Sequence, residues 1–297
     1  MDDVSTQQLR DKLGKVLSPR CEGLLTHERV IRAAMLDVIH RLTERGWASF
    51  VVGGAVRDLV LGPAERLPRD VDIVVCAGSL DELAKLYSDL ITSRTSFGGL
   101  RLRRRVDLRG SFDFVYDLVF DVWPLEETWA IKEFGLPPTI SSLTATTFLN
   151  LDAIAAETHT TRGRARAVYE HGFFEGVNRQ EVEINFPQNP FPAVCIARSL
   201  IMAAKLQFSI GRKLAEFICD KFYTLGVGAL LAAQMSHYGC VRCSAREMMA
   251  WVTAIELQLR TGRSKIELPV SRARQEGLWS DWQSAAPSQL APNGASC

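Results

Sequence analysis

The spacing of apolar positions changes along this chain, and each change predicts an element. Between residues 28 and 46, Val30, Ile31, Met35, Val38, Ile39 and Leu42 recur at threes and fours, which predicts an amphipathic helix stopped by Gly46. Residues 49–52 then read as a strand, followed by Gly53, Gly54 and a short helical pattern ending near Gly62. A second strand is predicted at 71–75, where Val71, Ile73, Val74 and Val75 leave almost no polar break. "SLDELAKLYSDL" predicts a helix, with Ser79 as cap and Glu82 three residues on to complete a capping box. Further strands are predicted at 100–105 and 113–123, and a mixture of strands and turns over 139–156 and 164–186. From residue 193 the register becomes helical: Val194, Ala197, Ile201, Ala204 and Phe208 step along one face, and helical patterns continue to about 260. The last ~25 residues are poor in core formers and read as a disordered tail.

The predicted order is an α+β front with an all-helical back. We divide it into a helical lead at 1–46, a head at 47–186, a helical neck and body at 187–270 and a tail at 271–297. The hydrophobic share, 47% of 297 residues, is enough for real cores, and the net charge of +1 gives no overall field to select a partner. Any nucleic-acid surface is then a local patch. Seven scattered cysteines, a polar, acidic start and the absence of an apolar run of ~20 residues predict a cytoplasmic protein in a reducing compartment, without a membrane span.

The chemistry concentrates in the front half. Asp70 and Asp72 lie two apart on a strand, so both carboxylates emerge on one face, roughly 6.5 Å apart at Cα. That spacing suits oxygens that bracket divalent ions for phosphoryl chemistry. The competing reading is a strand end whose acids pair with Arg69. Gly53 and Gly54 leave the backbone bare where a strand meets a helix start, a place where N–H groups can approach a phosphate. A plain turn is the alternative. Asp113, Asp117 and Asp121 share a face by parity on the later strand. Arg94, Arg101, Arg103, Arg104, Arg105 and Arg109 cluster on the head, with a second group at Arg162, Arg164 and Arg166. Either these line a phosphate-rich track or they protect a solvated sheet edge. Alternation sends Arg101 and Arg103 to one side, which makes them the stronger phosphate or RNA contacts. Arg198 and Lys205 lie seven apart on the first neck helix, opposite its apolar stripe, facing a cleft or water. "HYGCVRC" places His237 near Cys240 and Cys243, a partial zinc pattern that lacks a second pair.

Taken together, "GGAVRDLVLG…RDVDIVV" resembles the head domain of class II CCA-adding enzymes and bacterial poly(A) polymerases, within the polymerase-β-like nucleotidyltransferase superfamily. The segment "NPFPAVCIARSLIMAAKLQFSIG" is similar to that family's neck through Arg198, Ala203 to Leu206 and Phe208. The resemblance implies a mixed-sheet head followed by helices. It implies that Asp70 and Asp72 bind two Mg²⁺ ions, or Mn²⁺, with Asp121 as the third carboxylate. It also implies that Gly53, Gly54 and Arg57 hold the triphosphate of an NTP, with Asp58 tying the helix to the loop.

The departures from that family point elsewhere. Its ribose-reading R-R-D is replaced by Ala145, Thr146 and Thr147, and its base-reading acid and arginine by Asn189, Pro192 and Cys195. Lost hydrogen-bonding side chains mean lost discrimination of that kind. The reading is therefore a metal-dependent nucleotidyltransferase that moves an NMP to a hydroxyl at an RNA, tRNA-like 3′ end, and not a standard CCA-adding enzyme. Two rivals stand beside it: a toxin or modifier acting on protein or small-molecule hydroxyls, and an inactive nucleotide- or RNA-binding regulatory module.

Overall fold

The computed structural model describes residues 5–16, 26–61, 70–107, 115–160 and 164–284. Gly62, Arg69, Arg109, Asp113 and Arg162, named above, lie outside them, as do Cys21, Cys297 and the end of the expected tail. The chain separates into two compact units, Met1–Arg179 with Ile184–Gln188, and Gln180–Glu183 with Asn189–Cys297.

The first unit is built on a seven-stranded sheet. Its strands are β1 (Ser49–Val52), β2 (Asp70–Val75), β3 (Ile91–Arg94), β4 (Leu100–Asp107), β5 (Val115–Pro124), β6 (Ile154–Glu157) and β7 (Val168–Glu170), in the order β3-β4-β5-β2-β1-β6-β7. Neighbours are antiparallel except β2 and β5, which run parallel. On the back face, Ile73, Leu102, Leu118, Phe120 and Val122 are buried. Helix α2 (Thr26–Glu44) covers them with Met35, Val38, Ile39 and Leu42, and α4 (Leu80–Leu86) covers them with Leu83. Each fully buried aliphatic side chain there contributes about 1.5–3 kcal/mol. The expected capping box of Ser79 and Glu82 starts α4. The Tyr87 hydroxyl, just beyond it, donates to the Val38 carbonyl at 2.7 Å and ties the two helices together.

The helical lead is part of this unit and does not stand apart from the head. Besides α2, helix α1 (Thr6–Val16) joins it: the Lys12 ammonium donates to the carbonyls of Leu59 and Val60, at 3.3 and 2.8 Å, and Arg10 to that of Arg166 at 2.8 Å.

The front face is divided. Phe50, Val52, Val74 and Ala155 form an apolar patch with Leu125, Ile131, Ile140 and Leu143. Ile131 comes from α5 (Trp129–Phe134), and Ile140 and Leu143 from α6 (Ile140–Ala145). Strands and turns were expected at α6, as also at α7 (Phe173–Arg179). Helices of six or seven residues carry too little periodicity to be read. The rest of the front face, along β4, β5 and the start of β2, is polar and open.

The second unit contains α8 (Pro192–Leu206), α9 (Arg212–Tyr238), α10 (Ala245–Arg260) and α11 (Arg272–Ser284), with a small sheet of β8 (Glu181–Val182), β9 (Ser209–Gly211) and β10 (Lys265–Ile266). Helix α8 starts with Pro192 in its first turn, ends at Gln207 with φ 54°, and is buried well beyond its expected stripe. Helix α9 bends where Gly226 takes φ 75°. Cys195 on α8 and Cys243 after α9 are buried, and burial pushes each thiol up to about 12. Residues 272–284 correct the expected tail. Leu278 is fully buried, Arg274 pairs with Glu247 at 2.6 Å and Gln275 donates to the Lys205 carbonyl at 3.1 Å, so this piece is ordered by docking, without an apolar periodicity of its own. Among the described residues, no helix is long and apolar enough to cross a membrane.

Candidate active site

The double-glycine turn is set by backbone geometry. Gly53 has φ +62°, the left-handed region that a side chain makes costly. Its N–H donates to the Ile154 carbonyl at 2.9 Å, and its carbonyl accepts from the Arg57 N–H at 3.0 Å, which begins α3 (Gly54–Leu61). The turn is thereby pinned to β6 on one side and to the helix on the other. The first-turn N–H groups of such a helix lack intrahelical acceptors, and the helix dipole makes that end favourable for an anion.

Beside this turn, β1 and β2 bring Val52 opposite Asp72. The parallel pairing of β2 and β5 brings Asp72 opposite Asp121, and Asp70 opposite Val119. Neighbouring strands lie about 4.8 Å apart, so Asp70, Asp72 and Asp121 share one small area of the front face. All three are intermediate in exposure, at the boundary between the apolar patch and the open half. Asp117 stands two register steps further from this area, with Arg103 at 4.0 Å.

Antiparallel β4 adds a fourth member. Arg101 sits opposite Asp121, and its Nε and Nη2 donate to Oδ1 and Oδ2 at 2.8 and 2.7 Å. The Asp121 hydrogen bond holds the guanidinium pKa above its ordinary value; burial, the next largest influence, opposes it, and the charges of Asp121, Asp70 and Asp72 add to the rise. The carboxylates are hard oxygen donors of the kind that Mg²⁺ and Mn²⁺ take. Among the described residues, however, no three His, Cys, Asp or Glu side chains stand grouped to hold one ion, and Arg101 already occupies both oxygens of Asp121. His237, Cys240 and Cys243 fall under the same statement.

Arg57 lies against the glycine turn and is held there by two carboxylates. It is 3% exposed, its Nε donates to Asp58 at 2.9 Å, and its Nη1 pairs with Asp152. Two carboxylates neutralise it, and it ties α3 to the short 3₁₀ turn Asn150–Asp152. A Cβ at Gly54 would meet Arg57 Nη2 at 3.4 Å, so the guanidinium folds back over its own helix start. The partner Asp152 was missed: nothing in the local pattern of "FLNLDAI" links it to a residue so far upstream. Lys205 is also corrected. At 2% exposure it faces neither water nor an RNA, whereas Arg198 is half-buried on the same helix. Arg103 is exposed.

No family model matches the chain, and no curated protein does. Solved structures do. A CCA-adding enzyme with CTP is similar over 82% of this chain and 55% of its own, with a TM-score of 0.55 and 16% identity. A tRNA nucleotidyltransferase with a primer tRNA and an ATP analogue matches over 75% and 60%, at TM-score 0.47 and 18% identity. The Thermotoga maritima CCA-adding enzyme with tRNA matches over 74% and 48%, at 0.48 and 16%. The expected fold class thus stands: an α+β head of the CCA-adding type followed by helices. The chain spans about half to three fifths of the length of these structures.

Proposed function

We propose that this protein is a divalent-metal-dependent nucleotidyltransferase that transfers an NMP from an NTP to a hydroxyl at the 3′ end of an RNA. The observation that carries the reading is the register that sets Asp72 opposite Asp121, two residues from Asp70, beside the Gly53–Gly54 turn. A fold shared with a CCA-adding enzyme that binds CTP supports it. In this reading the acceptor oxygen bonds to the α-phosphorus, the bond from that phosphorus to the bridging oxygen breaks, and pyrophosphate leaves. Asp70 and Asp72 would hold Mg²⁺, with Asp121 as third ligand; the metal supplies neutralisation of charge on the phosphoryl oxygens. In this reading Asp121 would also accept the proton of the attacking hydroxyl. Gly53, whose own N–H is held by the Ile154 carbonyl, would shape the turn, and Gly54 at the start of α3 would offer its backbone N–H to the triphosphate, while Arg57 with Asp58 and Asp152 keeps that turn in shape. Arg101 and Arg103 line the open strand on which an RNA phosphate would lie.

The nucleotide choice differs from that of a standard CCA-adding enzyme. Thr146 spends its hydroxyl on the Ser142 carbonyl at 2.7 Å, and Thr147 on that of Leu143 at 3.0 Å, so neither offers a charged fork to a ribose. The test incubates the protein with each α-labelled NTP, Mg²⁺ and total RNA, and reads label in RNA, protein and small-molecule fractions. Label in RNA that vanishes in Asp70→Ala and Asp72→Ala, with melting temperature kept, supports the reading. Several kcal/mol of lost charge stabilisation corresponds to a fall of ~10³-fold or more. Near-normal turnover in either variant overturns it. Label in protein alone would favour the toxin-like rival, and orderly CCA synthesis on immature tRNA the standard enzyme.

A further inference from the structure

Asp121 can ligate a cation only through oxygens that now accept from Arg101. The pair is bidentate, with one guanidinium nitrogen on each carboxylate oxygen. It is also not locked away: the Arg101 side chain is 51% exposed, so its stem has a route into solvent, and Asp121 is left 21% exposed beneath it. By register the guanidinium stands in the same cross-strand row as Asp121 and Asp72, with Asp70 one step along. By register three carboxylates share this face, and a positive charge beside them lowers their mutual repulsion. Arg101 supplies that charge from within the chain. Arg103, two residues along the strand, faces Asp117 at 4.0 Å and makes no comparable fork, so the arrangement is particular to one position of β4.

We propose that Arg101 is a resident counter-ion that competes with the divalent cation for Asp121. The third carboxylate then joins the metal site only when the guanidinium swings off it. This inference rests on the nucleotidyltransferase reading above. Arg101 acts through Asp121 and is a positioning residue. Its consequence is weak cation binding in the nucleotide-free protein, with a full ligand set assembled only when the site is loaded.

The test is Mn²⁺ binding to the full chain without nucleotide, by electron paramagnetic resonance and calorimetry, with melting temperature as the control for folding. Removing a partly exposed bidentate partner should tighten binding by about fivefold or more in Arg101→Gln. Arg101→Lys, which keeps the charge and loses the fork, should fall between. Arg103→Gln should change little, and adding Asp121→Asn to Arg101→Gln should erase the gain. An Arg101→Gln affinity equal to or weaker than wild type overturns the proposal and leaves the metal reading intact. So does a gain that Arg103→Gln matches or that survives Asp121→Asn, since it then reflects overall charge. No Mn²⁺ binding by wild type and Arg101→Gln alike, at millimolar concentration, removes the metal reading and this inference with it.

Discussion

Two arginines of the first unit meet carboxylates in the same way and at different depths. At the glycine turn, Arg57 is 4% exposed in its side chain and lies between Asp58 and Asp152. On the open half of the sheet, Arg101 is 51% exposed and grips Asp121 alone. A buried pair is costly to break, because the partner left behind is a desolvated charge. An exposed pair is worth little in stability and can be exchanged for another cation. The comparison separates what shapes the site from what the site can trade.

The largest expected effect comes from the buried side. Arg57→Ala strands two acids and should cost about 3–5 kcal/mol, visible as a large drop in denaturant midpoint. A loss below about 1 kcal/mol would mean that the pair is solvated and that the contrast fails. Next, Gly53→Ala must place a Cβ at φ +62° and should cost about 1–2 kcal/mol. The nearest atom to that Cβ, the Asp152 carbonyl oxygen, is 3.7 Å away, so the cost is conformational and not steric. Third, Arg101→Ala should change stability by less than about 1 kcal/mol while altering Mn²⁺ affinity, the reverse of Arg57→Ala.

The smallest effect concerns another exposed fork, that of Arg41 on Asp89, at 2.6 and 2.9 Å. The hydrogen bond from Arg41, more than any other influence, holds the Asp89 carboxyl below its usual value. A carboxylate lowered by folding contributes stability that is present above the unfolded pKa of about 3.9 and lost as pH falls through the folded one. Asp89→Asn should therefore flatten the stability curve slightly below about pH 4, and added salt should shrink the difference. An equal difference at pH 7 and pH 2 would show that the pair acts by packing alone.

Local chemistry was legible in the sequence, and long-range pairing was not. The glycine turn, the strand with Asp70 and Asp72, and the capping box at Ser79 each depend on residues a few positions apart. Parity set Asp121 on one face with Asp113 and Asp117 and the family resemblance singled it out, but its place opposite Asp72 needs the β2–β5 register, and its capture by Arg101 needs the β4–β5 register as well. The burial of Lys205 shows the same limit: the helix face was right in outline, but tertiary packing closes over the side that looked polar. Strand β3, "ITSR", is mostly exposed and carries no apolar alternation to betray it.

The high-pKa thiols of Cys195 and Cys243 turn the second unit into its own reporter. With a pKa of about 12, little thiolate exists near neutral pH, and burial keeps reagent away as well. An alkylating agent reacts with either only after the surrounding helices part, so the rate of mass gain at each cysteine becomes a clock for opening events. Cys195 reports on the helix that begins at Pro192, and Cys243 on the junction held by the Gln234 side chain, which accepts from the Cys243 N–H at 2.8 Å. Equal rates at the two would mean that the helices open as one cooperative piece. Unequal rates would map which end loosens first, without any added label in the chain.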